Sequence, residues 1–114
     1  MRDQLFLLRA GFPDPAVGAG LFYCPDCIRV EGLLASFPAL RAAIDVVYLD
    51  FPRPRAALLA LLGEAGQGCP VLVAGAAGAD TPGLELVNGR RVARDAAPIA
   101  AYLAARYGIP LPHP

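Results

Sequence analysis

Two cysteines with two residues between them, Cys24-Pro25-Asp26-Cys27, are the side chains of this 114-residue chain best suited to chemistry. If Cys24 stands at the N-terminus of a helix and Cys27 lies one turn inside it, both sulfurs face the same side and can close a small disulfide ring. Free N–H groups and the positive end of the helix dipole at that terminus favour a thiolate at Cys24, which makes it the better nucleophile. Pro25 suits the first helical turn, where its missing N–H costs nothing. Asp26 works the other way, since a carboxylate beside Cys24 opposes a second negative charge. The motif is therefore expected to be less activated than one with a neutral or basic residue there. Tyr23, Pro25 and Asp26 border the sulfurs and are candidate substrate contacts.

Glu31 falls four residues after Cys27, on the same helical face. Two readings of it stand: a solvated surface carboxylate, or the acceptor of the Cys27 proton during disulfide exchange. His113 stands alone near the C-terminus and reads as an exposed bystander.

Composition narrows what such a dithiol can serve. The 10 Lys plus Arg balance the 10 Asp plus Glu, and every one of those cations is Arg. No basic field calls for nucleic acid or an anionic membrane. No apolar run approaches the roughly 20 residues needed to span a bilayer. The opening Leu5-Phe6-Leu7-Leu8 is too short for a signal-peptide core, so a cytoplasmic protein is expected. Three cysteines, an odd number in a reducing compartment, speak against a structural disulfide framework. The length allows one domain, over residues 1–114, with a single sizeable core.

The elements that must hold the cysteines can be read in order. Gln4 to Arg9 is a short apolar run, expected as a central strand. Ala10 to Leu21 carries Gly11, Pro13, Pro15, Gly18 and Gly20, and is expected as a loop. From Cys24 to about Phe37, Val30, Leu33, Leu34 and Phe37 recur at helical spacing, and Pro38 ends or bends the segment. Gly32, in mid-helix, calls for a kink or a close backbone contact to explain its cost of about 1 kcal/mol against Ala. Asp45 to Leu49 is a β-branched, apolar strand. Phe51-Pro52-Arg53-Pro54-Arg55 is a stiff connector whose two arginines read as a solvated edge, with docking of a carboxylate as the sharper alternative. Ala56 to Glu64 carries four leucines at helical spacing. Cys69-Pro70-Val71-Leu72-Val73 is a proline leading into a strand, a place where a cis bond is common. Residues 75 to 83 form a Gly- and Ala-rich loop. Asn88-Gly89 between Leu84–Val87 and Arg90–Arg94 is a strong hairpin signal. Asp95 is expected to cap a last helix that carries Ile99, Tyr102, Leu103 and Tyr107 on one face and ends at Gly108.

That order of strand, C-x-x-C helix, strand, helix, Pro-led strand, hairpin and helix resembles the thioredoxin-like superfamily over the whole chain. The resemblance implies an α/β fold, a single domain with a mixed four- to five-stranded sheet and helices on both faces. Cys24-Pro25-Asp26-Cys27 is close to the Cys-Pro-Tyr-Cys of glutaredoxins, and Pro70 matches the cis-proline that faces the active-site thiols in that superfamily. Cys69-Pro70-Val71-Leu72 and Asp95-Ala96-Ala97-Pro98-Ile99-Ala100-Ala101-Tyr102-Leu103 resemble the Val-Pro-x-Leu and Glu-Ser-x-Ala-Ile-x-x-Tyr-Leu of glutathione-transferase N-domains. Asp95 and Ala96 would then stand where that family holds the γ-glutamyl carboxylate of glutathione, with Ala96 replacing the serine and leaving only backbone amides for an anion. The Tyr-Cys-Pro-Asp-Cys, Pro-Arg-Pro-Arg, Asn-Gly-Arg-Arg and closing His-Pro segments also resemble a bacterial family of small thioredoxin-like proteins described only as a domain of unknown function.

The resemblance implies a thiol-disulfide oxidoreductase. Cys24 attacks a substrate disulfide, Cys27 resolves the mixed disulfide, Glu31 or water takes the Cys27 proton, and Pro70 aligns the substrate. The expected partner is a disulfide-containing protein or a low-molecular-weight thiol, with glutathione as a candidate co-substrate and no other cofactor. With Pro70 in the superfamily position, Cys69 comes close to Cys24 and Cys27. It then reads as a small buried apolar residue, as a further resolving thiol, or as the third sulfur of a soft-metal site. A redox-idle module that binds a peptide or a glutathione-like anion at Asp95 is the contrasting reading. Dimerisation through the Ala-rich last helix or a sheet edge is compatible with the sequence.

Overall fold

An apolar side chain at every position of Leu5-Phe6-Leu7-Leu8 sets the plan of the molecule. In the computed structural model, which describes residues 1–114, strand β1 (Gln4–Leu8) turns Leu5 and Leu7 to one face of a sheet and Phe6 to the other. Successive side chains of a pleated strand point to opposite faces, so this strand needs cover on both. The chain continues through β2 (Phe12–Pro13), β3 (Leu21–Phe22), α1 (Pro25–Ser36), α2 (Ala39–Ala43), β4 (Asp45–Leu49), α3 (Ala56–Leu62), β5 (Val71–Val73), β6 (Glu85–Val87), β7 (Arg90–Arg94) and α4 (Ala96–Tyr107). Five strands form one mixed sheet in the order β4-β1-β5-β7-β6, with β1 parallel to β4 and the other neighbours antiparallel. A second sheet is the small β2-β3 ladder.

Two clusters cover the faces. Val30 and Leu34 of α1, Leu40 of α2, and Ile99 and Leu103 of α4 pack with Leu5, Leu7, Leu72 and Ala93. On the other face Leu58 and Leu62 of α3 pack with Phe6, Val71, Val73 and Val92. Each large side chain so withdrawn from water contributes about 1.5–3 kcal/mol before its entropy cost. The α/β class, the mixed sheet and the helices on both faces are as the sequence led us to expect. The Asn88-Gly89 turn also takes its expected form, with φ of 49° and 76°. Pro70 opens β5 after a cis Cys69–Pro70 bond, and Arg53–Pro54 is cis as well. No helix is long and apolar enough to cross a membrane.

Several local expectations are corrected. Within the expected loop 10–21, Phe12 and Pro13 pair with Phe22 and Leu21. The Phe12 ring stacks on Phe51 with centroids 4.3 Å apart, a long-range contact that local Gly and Pro content cannot reveal. Pro38 does end α1, but the chain re-enters helix at once as α2, because Leu40 and Ile44 can reach the core. Arg55 is no solvated residue. It is buried, and its guanidinium donates to the carbonyls of Phe51, at 3.0 and 2.7 Å, and of Gln67, at 2.8 Å. Those acceptors are what make the burial of a cation tolerable. Asp95 stands at the N-cap position of α4 with φ of 73°, yet its side chain makes no capping bond. Gly32 is exposed, and an added Cβ would meet nothing within 4 Å, so neither a close contact nor crowding explains it.

A buried carboxylate ties the N-terminus to α4. Asp3 accepts the Gly75 N–H at 2.7 Å, the Tyr102 hydroxyl at 2.7 Å and the Tyr107 hydroxyl. Gly75 and Gly78 make this junction feasible, since a Cβ at either would strike the Met1 carbonyl or the Tyr102 hydroxyl.

Two substitutions test this packing. Tyr102→Phe removes one of three donors to a buried carboxylate and should cost about 1.5–3 kcal/mol, read as a lower urea midpoint at unchanged m. Gly32→Ala should instead stabilise by up to about 1 kcal/mol, and a destabilised variant would mean that the glycine serves a contact the fold does not contain.

Candidate active site

The β2-β3 ladder ends at Phe22, and two residues later Cys24 takes an extended backbone, φ −78° and ψ 116°, as the N-cap of α1. Serine or aspartate at such a position would accept the N–H of the third helical residue. Here the Cys24 sulfur does so, receiving the Cys27 N–H at 3.3 Å with Pro25 in the first turn. The sulfur thus sits at the positive end of a 12-residue helix. Opposite it, the Cys24 thiol points at the carbonyl oxygen of Cys69, 3.9 Å away, so the residue just before Pro70 forms the facing wall.

Cys27 lies one turn in and is 1% exposed, and its sulfur accepts the Leu8 N–H at 3.4 Å from the end of β1. Burial pushes its thiol from the ordinary 9.0 up to about 12; the Leu8 N–H pulls the other way and Cys24 adds to the rise. Cys69 is half-buried, and burial pushes its thiol up to about 11, with Arg55 pulling it down most, Cys24 raising it and Arg53 again lowering it. All three cysteines are free thiols. The arrangement is one partly accessible sulfur beside one shielded sulfur, the division of labour that disulfide exchange needs.

The surroundings sort the other candidate residues. Tyr23, 55% exposed, joins Leu21 and Ile28 as exposed apolar side chains next to the dithiol in the chain. Pro25 is exposed, and Asp26 lies 3.8 Å from Arg29. Asp95 reaches Pro70 through a backbone bond, its N–H donating to the Pro70 carbonyl at 3.3 Å. Beside them opens a cleft of about 270 Å³ whose walls include Arg53, Cys69, Pro70, Glu85, Arg94 and Asp95. Arg94 and Glu85 are paired across it. Ala96 begins α4 without a hydroxyl to offer.

Glu31 is placed elsewhere. Its carboxylate accepts from the Tyr48 hydroxyl and from Arg41, at 3.3 Å, while Arg41 also donates to Tyr48 at 3.0 Å. The hydrogen bonds of Cys27 go to Leu8 and Cys24 instead. Cys24, Cys27, Cys69, Pro70 and Asp95 are therefore brought together, and Glu31 is turned toward β4. No group of three or more His, Cys, Asp or Glu side chains is arranged to hold a metal ion, which leaves the three-sulfur metal site without geometric support. Sequence reasoning missed the Leu8 amide, a backbone donor with no signature, and the Arg55–Gln67 clamp behind Cys69. The Pro-Arg-Pro-Arg repeat marked the place but not the burial.

The chain belongs to a family described as "Protein of unknown function (DUF3088)", whose model matches residues 2–111. No curated protein and no solved structure matches the chain.

The raised Cys27 thiol has a consequence for stability. Below about pH 9 both folded and unfolded chains hold the proton; between 9.0 and about 12 the unfolded chain releases it first, so the reduced protein loses stability as pH rises through that window. Cys69, Tyr102 and Tyr107 are also raised and act in the same direction. The urea midpoint of reduced wild type should accordingly fall more steeply between pH 8.5 and 11, roughly the span of these shifts, than that of Cys27→Ala. Parallel slopes would show that Cys27 is not held as a thiol.

Proposed function

We propose that this chain is a thioredoxin-like thiol-disulfide oxidoreductase. The observation that carries the reading is the position of Cys24, whose sulfur caps α1 between the Cys27 amide and the Cys69 carbonyl while Cys27 lies sealed behind it. The order of elements adds support, with a dithiol helix after the first strand and a proline-led strand opposite. In the forward direction the Cys24 thiolate attacks one sulfur of a substrate disulfide, forming a mixed disulfide and expelling the other sulfur as a thiolate. Cys27 then loses its proton and attacks the Cys24 sulfur. The Cys24–Cys27 disulfide forms and the second substrate thiolate leaves, so two protein thiols are oxidised for each substrate disulfide reduced. Water takes the Cys27 proton, since the Glu31 carboxylate is engaged by Tyr48 and Arg41. A substrate strand would lie along Cys69 and Pro70, using main-chain groups for affinity, with Tyr23 on its apolar side. Disulfide-containing proteins and mixed disulfides of low-molecular-weight thiols, glutathione included, are the substrate classes.

A binding module is the contrasting class, favoured by the cleft in which Arg53 and the uncapped Asp95 side chain offer both charges to a ligand. Turnover separates the two. Reduction of insulin disulfides, or of a mixed glutathione disulfide, should fall on the order of a hundredfold or more in Cys24→Ser, as when a nucleophile is removed. Equal rates for the variant and wild type would remove the oxidoreductase reading and leave the binding one.

A further inference from the structure

We propose that Cys69 is a second resolving thiol, able to take over the Cys24 mixed disulfide in place of Cys27. This rests on the reading of Cys24 as the nucleophile and extends it to a site with two exits. The Cys24 sulfur is flanked on both sides: it contacts the backbone of Cys27 at 3.3 Å and the backbone of Cys69 at 3.9 Å. The two flanking thiols differ in access. Cys27 is 1% exposed and belongs to the core packed between β1 and α1, whereas Cys69 is half-buried and lines the cleft shared with Arg53 and Asp95.

Their charge environments differ in the same direction. Two guanidinium groups, Arg55 and Arg53, favour an anionic Cys69, and the thiol of Cys24 opposes it. Cys27 is favoured as an anion only by the Leu8 N–H, with both other thiols opposing. Cys69 thus has two nearby cations to favour its thiolate where Cys27 has a single backbone amide, and thiolate character is one determinant of attack rate. Arg55 is held in place by the carbonyls of Phe51 and Gln67, so the cation nearest this role is part of the scaffold.

The step balances without any reactant beyond the substrate disulfide. After Cys24 has formed a mixed disulfide with a small thiol, Cys69 gives its proton to solvent and attacks the Cys24 sulfur. A Cys24–Cys69 bond forms, and the small thiol leaves as a thiolate that picks up a proton. Attack by Cys27 on that same bond at Cys24 would later free Cys69 and give the Cys24–Cys27 disulfide, so the three thiols can pass one oxidation between them.

The test uses the full chain and a symmetric small disulfide, bis(2-hydroxyethyl) disulfide. Reduced Cys27→Ser, with Cys27→Ala as a second variant because position 27 is in the core, is mixed with it, and the released mercaptoethanol is counted. The expected result is two equivalents per chain and a Cys24–Cys69 peptide in the digest, falling to one equivalent when Cys69 is also changed to Ser. One equivalent and a stalled mixed disulfide on Cys24 would overturn the proposal while leaving the oxidoreductase reading intact. No release from any chain that retains Cys24 would overturn both. Should neither variant fold, wild type oxidised with less than one equivalent is quenched with acid at a series of early times, before Cys27 can displace Cys69, and digested: a transient Cys24–Cys69 peptide supports the second exit, and its absence at every time overturns it.

Discussion

Strand β1 is the constraint on which the rest of the structure depends. Because Leu5, Phe6 and Leu7 are all buried, neither face of the sheet can be left to water, and the chain must return helices to both. The parallel pairing of β1 with β4 requires a crossover, and α1 and α2 are that crossover. α1 is thus pinned by Val30 and Leu34 above Leu5 and Leu7, and its N-terminus is brought level with the C-terminal end of β1. The contact between the Leu8 N–H and the Cys27 sulfur is the direct result. The thiol placed inside the helix is held against the end of the strand that the core is built on.

The facing wall has a separate origin. β5 lies antiparallel to β1 and starts at the same end of the sheet where β1 finishes, so Cys69 and Pro70 arrive opposite the start of α1. What holds that wall at its distance is the clamp behind it. Arg55 joins the carbonyl of Phe51 to that of Gln67, and Phe51 in turn stacks on Phe12 of the ladder that delivers Tyr23 and Cys24. Both walls of the site are therefore linked by one run of contacts that lies outside the main hydrophobic core. A buried arginine is a costly way to make such a link unless its nitrogens find acceptors, and here the carbonyls of Phe51 and Gln67 supply one for each of the three.

The opposite end of the sheet is organised by charge as well. Asp3, buried at the start of β1, gathers the Gly75 N–H with two tyrosines of α4 and so fixes how the last helix crosses the sheet. Hydrogen bonds to a buried carboxylate are stronger than neutral ones, and three of them offset its desolvation. The dithiol end of the domain, by contrast, contains soft sulfur contacts of 3.3 to 3.9 Å and an exposed rim.

What could be read from residue order was whatever depends on local pattern. Short apolar runs marked β1 and β4, helical spacing marked α1, α3 and α4, Asn88-Gly89 marked the β6-β7 hairpin, and Pro70 marked the start of β5. The dithiol and its place at a helix mouth were legible for the same reason, because capping and a 3.6-residue repeat act within one turn. Contacts between distant segments were not legible: the stacking of Phe12 on Phe51, the burial of Arg55, the pull of Tyr48 and Arg41 on Glu31, and the Leu8 amide at Cys27. A side chain such as Glu31 has several partners within reach along its helix and across it, and only the packed arrangement of α1, α2 and β4 decides which it takes. The residues thus determined that two sulfurs stand at the end of a helix, and the tertiary structure decided which groups surround them, because hydrogen bonds and desolvation depend on distance in space and not on separation along the chain.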